Sequence, residues 1–322
     1  MTKKTDFLRM IEYATKAPSG HNTQPWKFKI QENCIEVYPD LNQELPVVDY
    51  NHRELYISLG CAVFNICVAA SQYGYSYTIE IIDKTSQTII KINLEKTPIS
   101  KNILFKQIEK RQTNRNIYTG KSIDNDTLMQ LQKLHKKGDI GIYYFKNGNP
   151  NFQIIKENIL KGNEIQMNDP QFKKELISWI RFNKQEVDKH QNGLTYEVMG
   201  SPSVPNFIGK RIINFFLTAT KQNKMDTEKI DSSSHFVLFT TQSNTVKEWI
   251  YLGVSLQKLL LKFTELEIAI AFCNQPCEIE SLSSKLQKQL PIHNEYPSII
   301  LRIGYAKNVP FSPRKDLAKV LI

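Results

Sequence analysis

Two stretches of this chain are apolar on almost every side of a helical wheel. They span residues 56–75 and 249–268, and only a few polar side chains interrupt each of them. A helix on a protein surface shows one apolar stripe, whereas a helix that is apolar all round is buried. The pattern therefore predicts two central, buried helices.

The same two stretches begin with related sequences, YISLG at 56–60 and WIYLG at 249–253. Similarity at a fixed offset is the sign of a repeated unit. Both copies are followed by short apolar or β-branched runs, which predict strands at 77–82, 88–94, 269–272 and 298–305. The order of helix and then strands thus repeats, which indicates an internal duplication.

The duplication divides the chain near residue 100, where Thr97-Pro98 interrupts the strand pattern. Helical spacing begins at Asp6 in the first half and again at Asp126 in the second. We predict an α+β fold with two pseudo-symmetric halves, 1–100 and 101–322, in which antiparallel-rich sheets surround the central helices.

The second half contains an additional segment, which we name the lid insertion, at about 151–207. Its first part, 151–190, has a helical pattern, and its second part, 192–207, is a loop rich in glycine, proline and serine. Loops of this length inside compact domains are usually functional or disordered. A lid over a site and a plain connector are both compatible with the pattern.

Charge and cysteine content limit the function classes. The formal net charge of +10 favours anionic partners, but the lysines are scattered and form no basic arm, so a nucleic-acid-binding module is disfavoured. The run 55–70 is too short for a bilayer span, and the first residues lack a signal-peptide pattern. Five cysteines, an odd number, fit a reducing cytoplasm, and no metal site or membrane partner is expected.

Residues 17–26, APSGHNTQPW, lead from the first helix into a strand predicted at 27–30. Proline, serine and glycine break the helix there and leave peptide N–H groups and two amide side chains available to a ligand. The segment resembles the signature A-P-S-x-x-N-x-Q-P-W of the nitroreductase family of flavoproteins, and every fixed letter is present. The resemblance implies that Pro18, Ser19, Asn22 and Gln24 lie against the ring of flavin mononucleotide (FMN). We name 17–26 the ring segment.

Within the ring segment, two residues are expected to act differently. Trp26 is predicted to pack in the core. His21 stands at a variable position of the signature, and an exposed or core-satisfied imidazole is favoured over one that faces the flavin.

A second motif, RQTNR at 111–115, places two guanidinium groups on either side of a hydroxyl, an arrangement that can grip a phosphate. It resembles the R-x-S-x-R segment of nitroreductases, which implies phosphate contacts from Arg111, Thr113 and Arg115. We name it the arginine segment. By the same resemblance, Arg314 reaches the phosphate, and three residues after the second central helix pass the ring edge: Cys273, Asn274 and Gln275.

The two motifs are divided between the halves, since the first half carries the ring segment and the second carries the arginine segment. Nitroreductases are typically homodimers in which each site uses both subunits. The division resembles the fused, internally duplicated (Acg-like) branch of the family, and it implies one site per chain in a monomer that mimics the dimer.

The resemblance implies an FMN-dependent oxidoreductase that takes hydride from NADH or NADPH and reduces small electron acceptors such as nitroaromatics or quinones. The cofactor carries the chemistry, so no separate catalytic residue is assigned. A flavin-binding or flavin-storing protein with a closed lid and little turnover is the alternative.

Overall fold

The computed structural model describes residues 2–134 and 140–322. The elements up to residue 134 are α1 (Lys3–Ala14), β1 (Trp26–Ile30), β2 (Cys34–Pro39), α2 (Arg53–Gln72), β3 (Tyr75–Lys84), β4 (Gln87–Lys96) and α3 (Asn125–Lys133). The four strands form an antiparallel sheet in the order β1-β2-β4-β3. α1 packs beside α2, and α2 packs on this sheet.

A second antiparallel sheet, in the order β5-β8-β10-β9, is formed by later strands, and β6 and β7 make a short parallel pair. The elements are β5 (Ile140–Lys146), α4 (Pro150–Asn168), α5 (Pro170–Ser178), β6 (Ile180–Arg181), α6 (Lys184–His190), β7 (Leu194–Thr195), α7 (Asn206–Phe216), α8 (Ala219–Asp231), β8 (His235–Thr241), α9 (Val246–Glu265), β9 (Ala269–Phe272), α10 (Gln275–Glu278), α11 (Glu280–Gln289), β10 (Tyr296–Gly304) and α12 (Leu317–Val320). The predicted α+β class with antiparallel sheets is confirmed.

The two predicted central helices are α2 and α9, and they pack against each other in one hydrophobic core. α2 is long and apolar enough to cross a membrane by composition alone, but most of it is buried inside the protein. Its apolar character is therefore accounted for by its place between the first sheet and α9.

The crossing of α2 and α9 depends on two glycines. A Cβ added to Gly60 would lie 2.1 Å from the carbonyl oxygen of Ile250, and one added to Gly253 would lie 2.1 Å from that of Ile57. Real Cβ atoms do not approach so closely, so both positions need the absence of a side chain. The contact is reciprocal, since each glycine lies against the backbone of the other helix. In the buried layer beside this crossing, Gln257 Nε2 donates to the Asn65 amide oxygen at 2.8 Å.

The sequence predicts one helical stretch at 151–190 in the lid insertion. The structure has three helices there, α4, α5 and α6. Asp169 ends α4 and caps α5 by accepting from Gln171 N at 2.8 Å, while Pro170 occupies the first helical position. The loop predicted at 192–207 contains β7 and ends where α7 begins. No element was predicted from the sequence at the positions of α7, α8 and β8, which follow this loop.

After β10 the chain returns to the first sheet. Ile322 N donates to the carbonyl oxygen of Phe28 in β1, and the Lys27 ammonium donates to that of Lys319. This return path carries residues 305–316 across the end of the ring segment. It places Arg314 next to residues nearly 300 positions earlier in the sequence, such as Asn22.

Candidate functional site

The ring segment forms a tight turn, Gly20–Asn22, between α1 and β1. Ser19 Oγ accepts a hydrogen bond from Gln24 N at 2.9 Å and closes the turn. His21, Asn22 and Gln24 all have positive φ, at 47°, 57° and 55°. Left-handed backbone at a residue other than glycine is costly and persists where surrounding contacts impose it, most often at functional sites.

The contacts that impose this conformation come from the Asn22 and Gln24 amides. Asn22 Nδ2 donates to the carbonyl oxygens of Gly193 and Pro313, both at 3.2 Å. Gln24 Nε2 donates to Gln191 O at 2.8 Å, and its Oε1 accepts from Lys315 N at 2.8 Å. These amides, predicted from the resemblance to lie against a ring, thus join the ring segment to the lid insertion and to the C-terminal segment.

The arginine segment is held by its fourth residue, Asn114, and by a buried arginine outside it, Arg302. Asn114 N donates to Ile270 O at 2.7 Å, and Asn114 Nδ2 donates to Lys307 O at 2.8 Å. Arg302 stacks on the Tyr118 ring at 4.0 Å and donates to the carbonyl oxygens of Asn114 and Asn116. This path of the backbone turns Arg111 and Arg115 toward the ring segment.

Arg111 and Arg314 meet at one acceptor, the carbonyl oxygen of Lys16, with Nη2 distances of 3.1 and 3.3 Å. Burial lowers the pKa of Arg111 to about 10, and burial together with Arg111 lowers that of Arg314 to about 9. Arg111 Nε and Nη1 and Arg314 Nε are buried and have no hydrogen-bond partner among the described residues. Buried donors of this kind are costly unless an acceptor satisfies them.

His21 and Arg115 add to the same positive region. Burial, and then the charge of Arg115, lower the pKa of His21 to about 4, and its buried Nδ1 has no partner among the described residues. Arg115 lines a recess, where its side chain is solvent-accessible. Protein nevertheless surrounds it closely, so burial, and then the charge of Arg302, lower its pKa. The expectation that His21 is exposed or satisfied in the core is therefore wrong, because the left-handed turn directs it into the recess.

The recess is an open cavity of about 230 Å³ at the junction of the two central helices. Apolar side chains from both helices and from the second sheet form its floor, and three residues of the lid insertion cover it. The floor includes Ile57, Leu256, Phe272 and Ile299, and the cover consists of Gln166, Phe172 and Leu194. The rest of the lining is polar or charged, and a concave site that combines an apolar floor with convergent polar groups is typical of cofactor and ligand sites.

The sequence-predicted residues fall into three groups. Pro18, Ser19, Arg115, Asn274 and Gln275 line the recess. Asn22, Gln24, Arg111 and Arg314 lie outside its lining. Asn22 and Gln24 bond to the lid insertion, Arg111 bonds to Lys16 O just before the ring segment, and Arg314 bonds to Asn22. Thr113 is not part of the lining, and Cys273 is buried in a separate apolar cluster with its thiol among core side chains.

Several lining residues have no sequence prediction, notably Glu54 in the first turn of α2 and Glu278 at the end of α10. A charged residue at the start of a nearly all-apolar helix was a signal that could have indicated Glu54. Glu278 carried no such signal, since its place beside α2 depends on a contact between residues more than 200 positions apart.

No family model matches the chain. It is 21% identical over 321 residues to Rv3131 of Mycobacterium tuberculosis, which is provisionally named an NAD(P)H nitroreductase, and the match covers 97% of this chain and 90% of that protein. A shorter match of 77 residues, 27% identical, joins it to the similarly named acg of that organism and covers 24% of this chain and 23% of acg.

Two solved structures are also similar. The FMN-dependent nitroreductase NfnB from Mycobacterium smegmatis, in complex with NADPH, is 12% identical with a TM-score of 0.43, covering 66% of this chain and 94% of that one. A nitroreductase with bound FMN from Bacteroides fragilis is 12% identical with a TM-score of 0.38, covering 67% and 95%. The match to Rv3131, which spans nearly the whole of both chains, confirms the predicted resemblance to nitroreductases.

Proposed function

We propose that this protein is an FMN-dependent NAD(P)H oxidoreductase of the nitroreductase type, which reduces small acceptors such as nitroaromatics and quinones. The observation that carries the proposal is the meeting of Arg111 and Arg314 at Lys16 O, with Arg115 close by at His21. Their unsatisfied buried donors need an anionic acceptor of several oxygens. A phosphate monoester fits this requirement.

The phosphate end of FMN would be held by these three arginines. Guanidinium groups donate forked, charge-assisted hydrogen bonds that match phosphate oxygens. Burial lowers the pKa of Arg111, and burial and then the Arg111 charge lower that of Arg314. A bound dianion would offset both effects.

The ring end of FMN would lie in the recess between the ring segment and the β9–α10 turn. Ile57 and Leu256 give it an apolar floor, and Asn274 and Gln275 lie at its edge. When bound, FMN accepts hydride from a nicotinamide and passes reducing equivalents to an acceptor. The lid residues Phe172 and Leu194 limit the access of water to this volume.

A flavin-binding or flavin-storing protein with little turnover is the second candidate, and the lid contacts favour it. Gly193 N donates to Asn22 O at 3.2 Å while Asn22 Nδ2 donates back to Gly193 O. Gln191 and Asp316 exchange two further hydrogen bonds across the same gap. The lid insertion is thus fastened to the segments that surround the recess.

The test combines cofactor content with turnover. We expect the purified protein to show the absorbance bands of oxidised flavin at one FMN per chain, and to oxidise NADH or NADPH when a quinone or nitroaromatic is added. One FMN without turnover would select the storage candidate. An absence of flavin, with no binding of added FMN, would reject both.

The proposal includes the arrangement of the chain. The halves 1–100 and 101–322 mimic a nitroreductase dimer within one cytoplasmic monomer, with 151–207 as the lid. Light scattering of the flavin-loaded protein checks this, because a dimer that loses its flavin on dilution to monomer would contradict a single-chain site.

A further inference from the structure

We propose that Glu54 and Glu278 form an acid pair that shares a proton in the wall of the recess and delivers it to the acceptor being reduced. The inference rests on the proposed function and deepens it, because it assigns the source of the proton that must accompany hydride. It also selects a class of acceptor, namely molecules that take up a hydride and a proton together.

The two carboxyl groups come from different parts of the fold and meet at the recess. Glu54 Oε1 accepts from Asn274 Nδ2 at 3.0 Å, and a Cβ added to Gly20 of the ring segment would lie 3.3 Å from Glu54 Oε2. Glu278 accepts from Gln166 Nε2 at 2.5 Å. The carboxyl groups of Glu54 and Glu278 both line the recess, and the Glu54 charge acts on Glu278.

Two carboxyl groups buried at one recess are not readily ionised together, because burial and like charge each favour the protonated form. Burial, and then the Glu54 charge, raise the pKa of Glu278 to about 8, and burial raises that of Glu54. The pair therefore holds a proton at neutral pH.

The charged groups near Glu54 and Glu278 do not remove the need of this pair for a proton. Arg53 is 3.9 Å from Glu54 Oε1, but its Nη1 donates to Cys277 O at 2.6 Å. Asp49, which accepts from the backbone N of Glu54, adds a negative charge, and its own pKa rises to about 7 because of burial and then Glu54. Arg115 and His21 line the same recess, and His21, with a pKa near 4, is neutral at pH 7.

The proposed step balances as follows. NAD(P)H supplies two electrons as hydride through the flavin, and an acceptor such as a quinone receives that hydride. The O–H bond of the protonated carboxyl breaks while a new O–H bond forms on the acceptor oxygen. The pair is left with one more negative charge and regains its proton from water, so that NAD(P)H is oxidised and the quinone is reduced by two electrons.

The pair could instead serve only to hold α10 against α2, and the experiment separates the two roles. It uses the flavin-loaded protein, the variants Glu54→Gln and Glu278→Gln, and Glu278→Asp, which keeps an acid. Glu295→Gln is the matched control, since Glu295 is a buried carboxylate outside the recess lining that accepts from Gln242 Nε2 at 2.9 Å.

The first measurement needs no turnover. Infrared spectra at pH 7 should contain the carbonyl stretch of a protonated carboxyl that shifts in D₂O and disappears as the pH rises past about 8. This band should be lost or displaced in Glu278→Gln and retained in Glu295→Gln. An unaltered protein without the band would overturn the proposal.

The second measurement compares acceptors. A quinone needs a proton with its electrons, whereas ferricyanide takes electrons alone, so the ratio of quinone to ferricyanide turnover reports proton delivery. We expect this ratio to fall about a hundredfold in Glu278→Gln, in the range for loss of a general acid, and to recover partly in Glu278→Asp. Equal loss with both acceptors, or an unchanged ratio, would overturn the acid role.

The failure of this inference differs from failure of the proposed function. If the protein bound no flavin, the ratio of quinone to ferricyanide turnover could not be determined, but the infrared band could still be measured. If flavin bound and NAD(P)H were oxidised normally while the ratio stayed constant across variants, the proposed function would stand and the acid pair would be rejected.

Discussion

Arg111 and Arg314, more than 200 residues apart in sequence, both donate hydrogen bonds to the carbonyl oxygen of Lys16, at 3.1 and 3.3 Å. Two guanidinium groups at one neutral acceptor repel each other, and the lowered pKa of Arg314 reflects burial and then this repulsion. The surrounding structure, including the Asn22 Oδ1 that accepts from Arg314 at 3.1 Å, holds the charges in place. In the proposed function, this arrangement is organised for an anion before one arrives.

Replacing Arg115 tests the phosphate end, because its solvent-accessible guanidinium can be removed without emptying the core. We expect Arg115→Ala to weaken FMN binding about tenfold to a hundredfold, from the loss of roughly 1.5–3 kcal/mol of charge-assisted contact. Riboflavin, which has no phosphate, should bind as well as it does to the unaltered protein. Flavin fluorescence titration measures both.

Arg211→Ala is the control for charge alone, since Arg211 is exposed on α7. It should leave both dissociation constants unchanged. Equal FMN affinity in Arg115→Ala and the unaltered protein would return the arginine segment to the role of a solvated basic turn.

Replacing Gly193 tests the lid. Gly193 has φ of +81°, and an added Cβ would lie 2.3 Å from the carbonyl oxygen of Trp179. Gly193→Ala should displace the loop from Asn22 at a cost of about 1–3 kcal/mol, and so speed FMN release by about fivefold to a hundredfold. The release rate is measured by stopped-flow fluorescence, with an excess of a second FMN-binding protein present to capture the FMN that is released.

Gly200→Ala is the matched control, because Gly200 lies in the same loop with φ of +67° but nothing stands within 4 Å of its added Cβ. If both variants released FMN at the same rate, backbone strain in the loop would explain the result and the contact with Asn22 would not control release.

Replacing the paired glycines tests the helix crossing. Alanine is favoured over glycine in a helix by about 1 kcal/mol, but overpacking costs about 1–3 kcal/mol and here the obstructing atoms are backbone. We expect Gly60→Ala and Gly253→Ala each to lower the free energy of unfolding by about 2 kcal/mol. The double variant should lose less than the sum, because one separation of α2 from α9 relieves both contacts. Urea unfolding measures all three, and stabilisation by either alanine would contradict the crossing.

The sequence predicted the central helices because burial on all sides leaves a strong signal. α2 and α9 cover the expected positions except the last three of each. β8, His235–Thr241, was missed although every residue in it is buried. A short continuous apolar run has no period, so it does not distinguish a strand from a buried helix. α7 and α8 were also missed, although the apolar positions of α7 recur with helical spacing.

Local motifs supplied five predicted residues that line the recess, whereas the contacts of the other predicted residues depend on tertiary structure. The left-handed turn of the ring segment directs His21 inward and commits the Asn22 and Gln24 amides to Gly193 O and Gln191 O. Neither outcome follows from the letters of the motif. The meeting of Glu54 with Glu278 depends likewise on how α10 is placed against α2.

The acid pair also predicts how stability depends on pH. The pKa of Glu278 rises from its usual 4.5 to about 8 on folding, chiefly because of burial. Between these values the folded state retains a proton that the unfolded state has lost, so the free energy of unfolding falls as pH rises, by up to about 1.4 kcal/mol per pH unit for one proton. Glu278→Gln cannot lose this proton. We therefore expect urea unfolding at a series of pH values from 5 to 9 to give a shallower fall for Glu278→Gln, with a residual slope from Asp49, whose pKa is raised in the same direction. Glu295→Gln should keep the full slope. Parallel curves for Glu278→Gln and the unaltered protein would mean that Glu278 is already ionised in the folded state at neutral pH, and the shared proton would then have to be rejected.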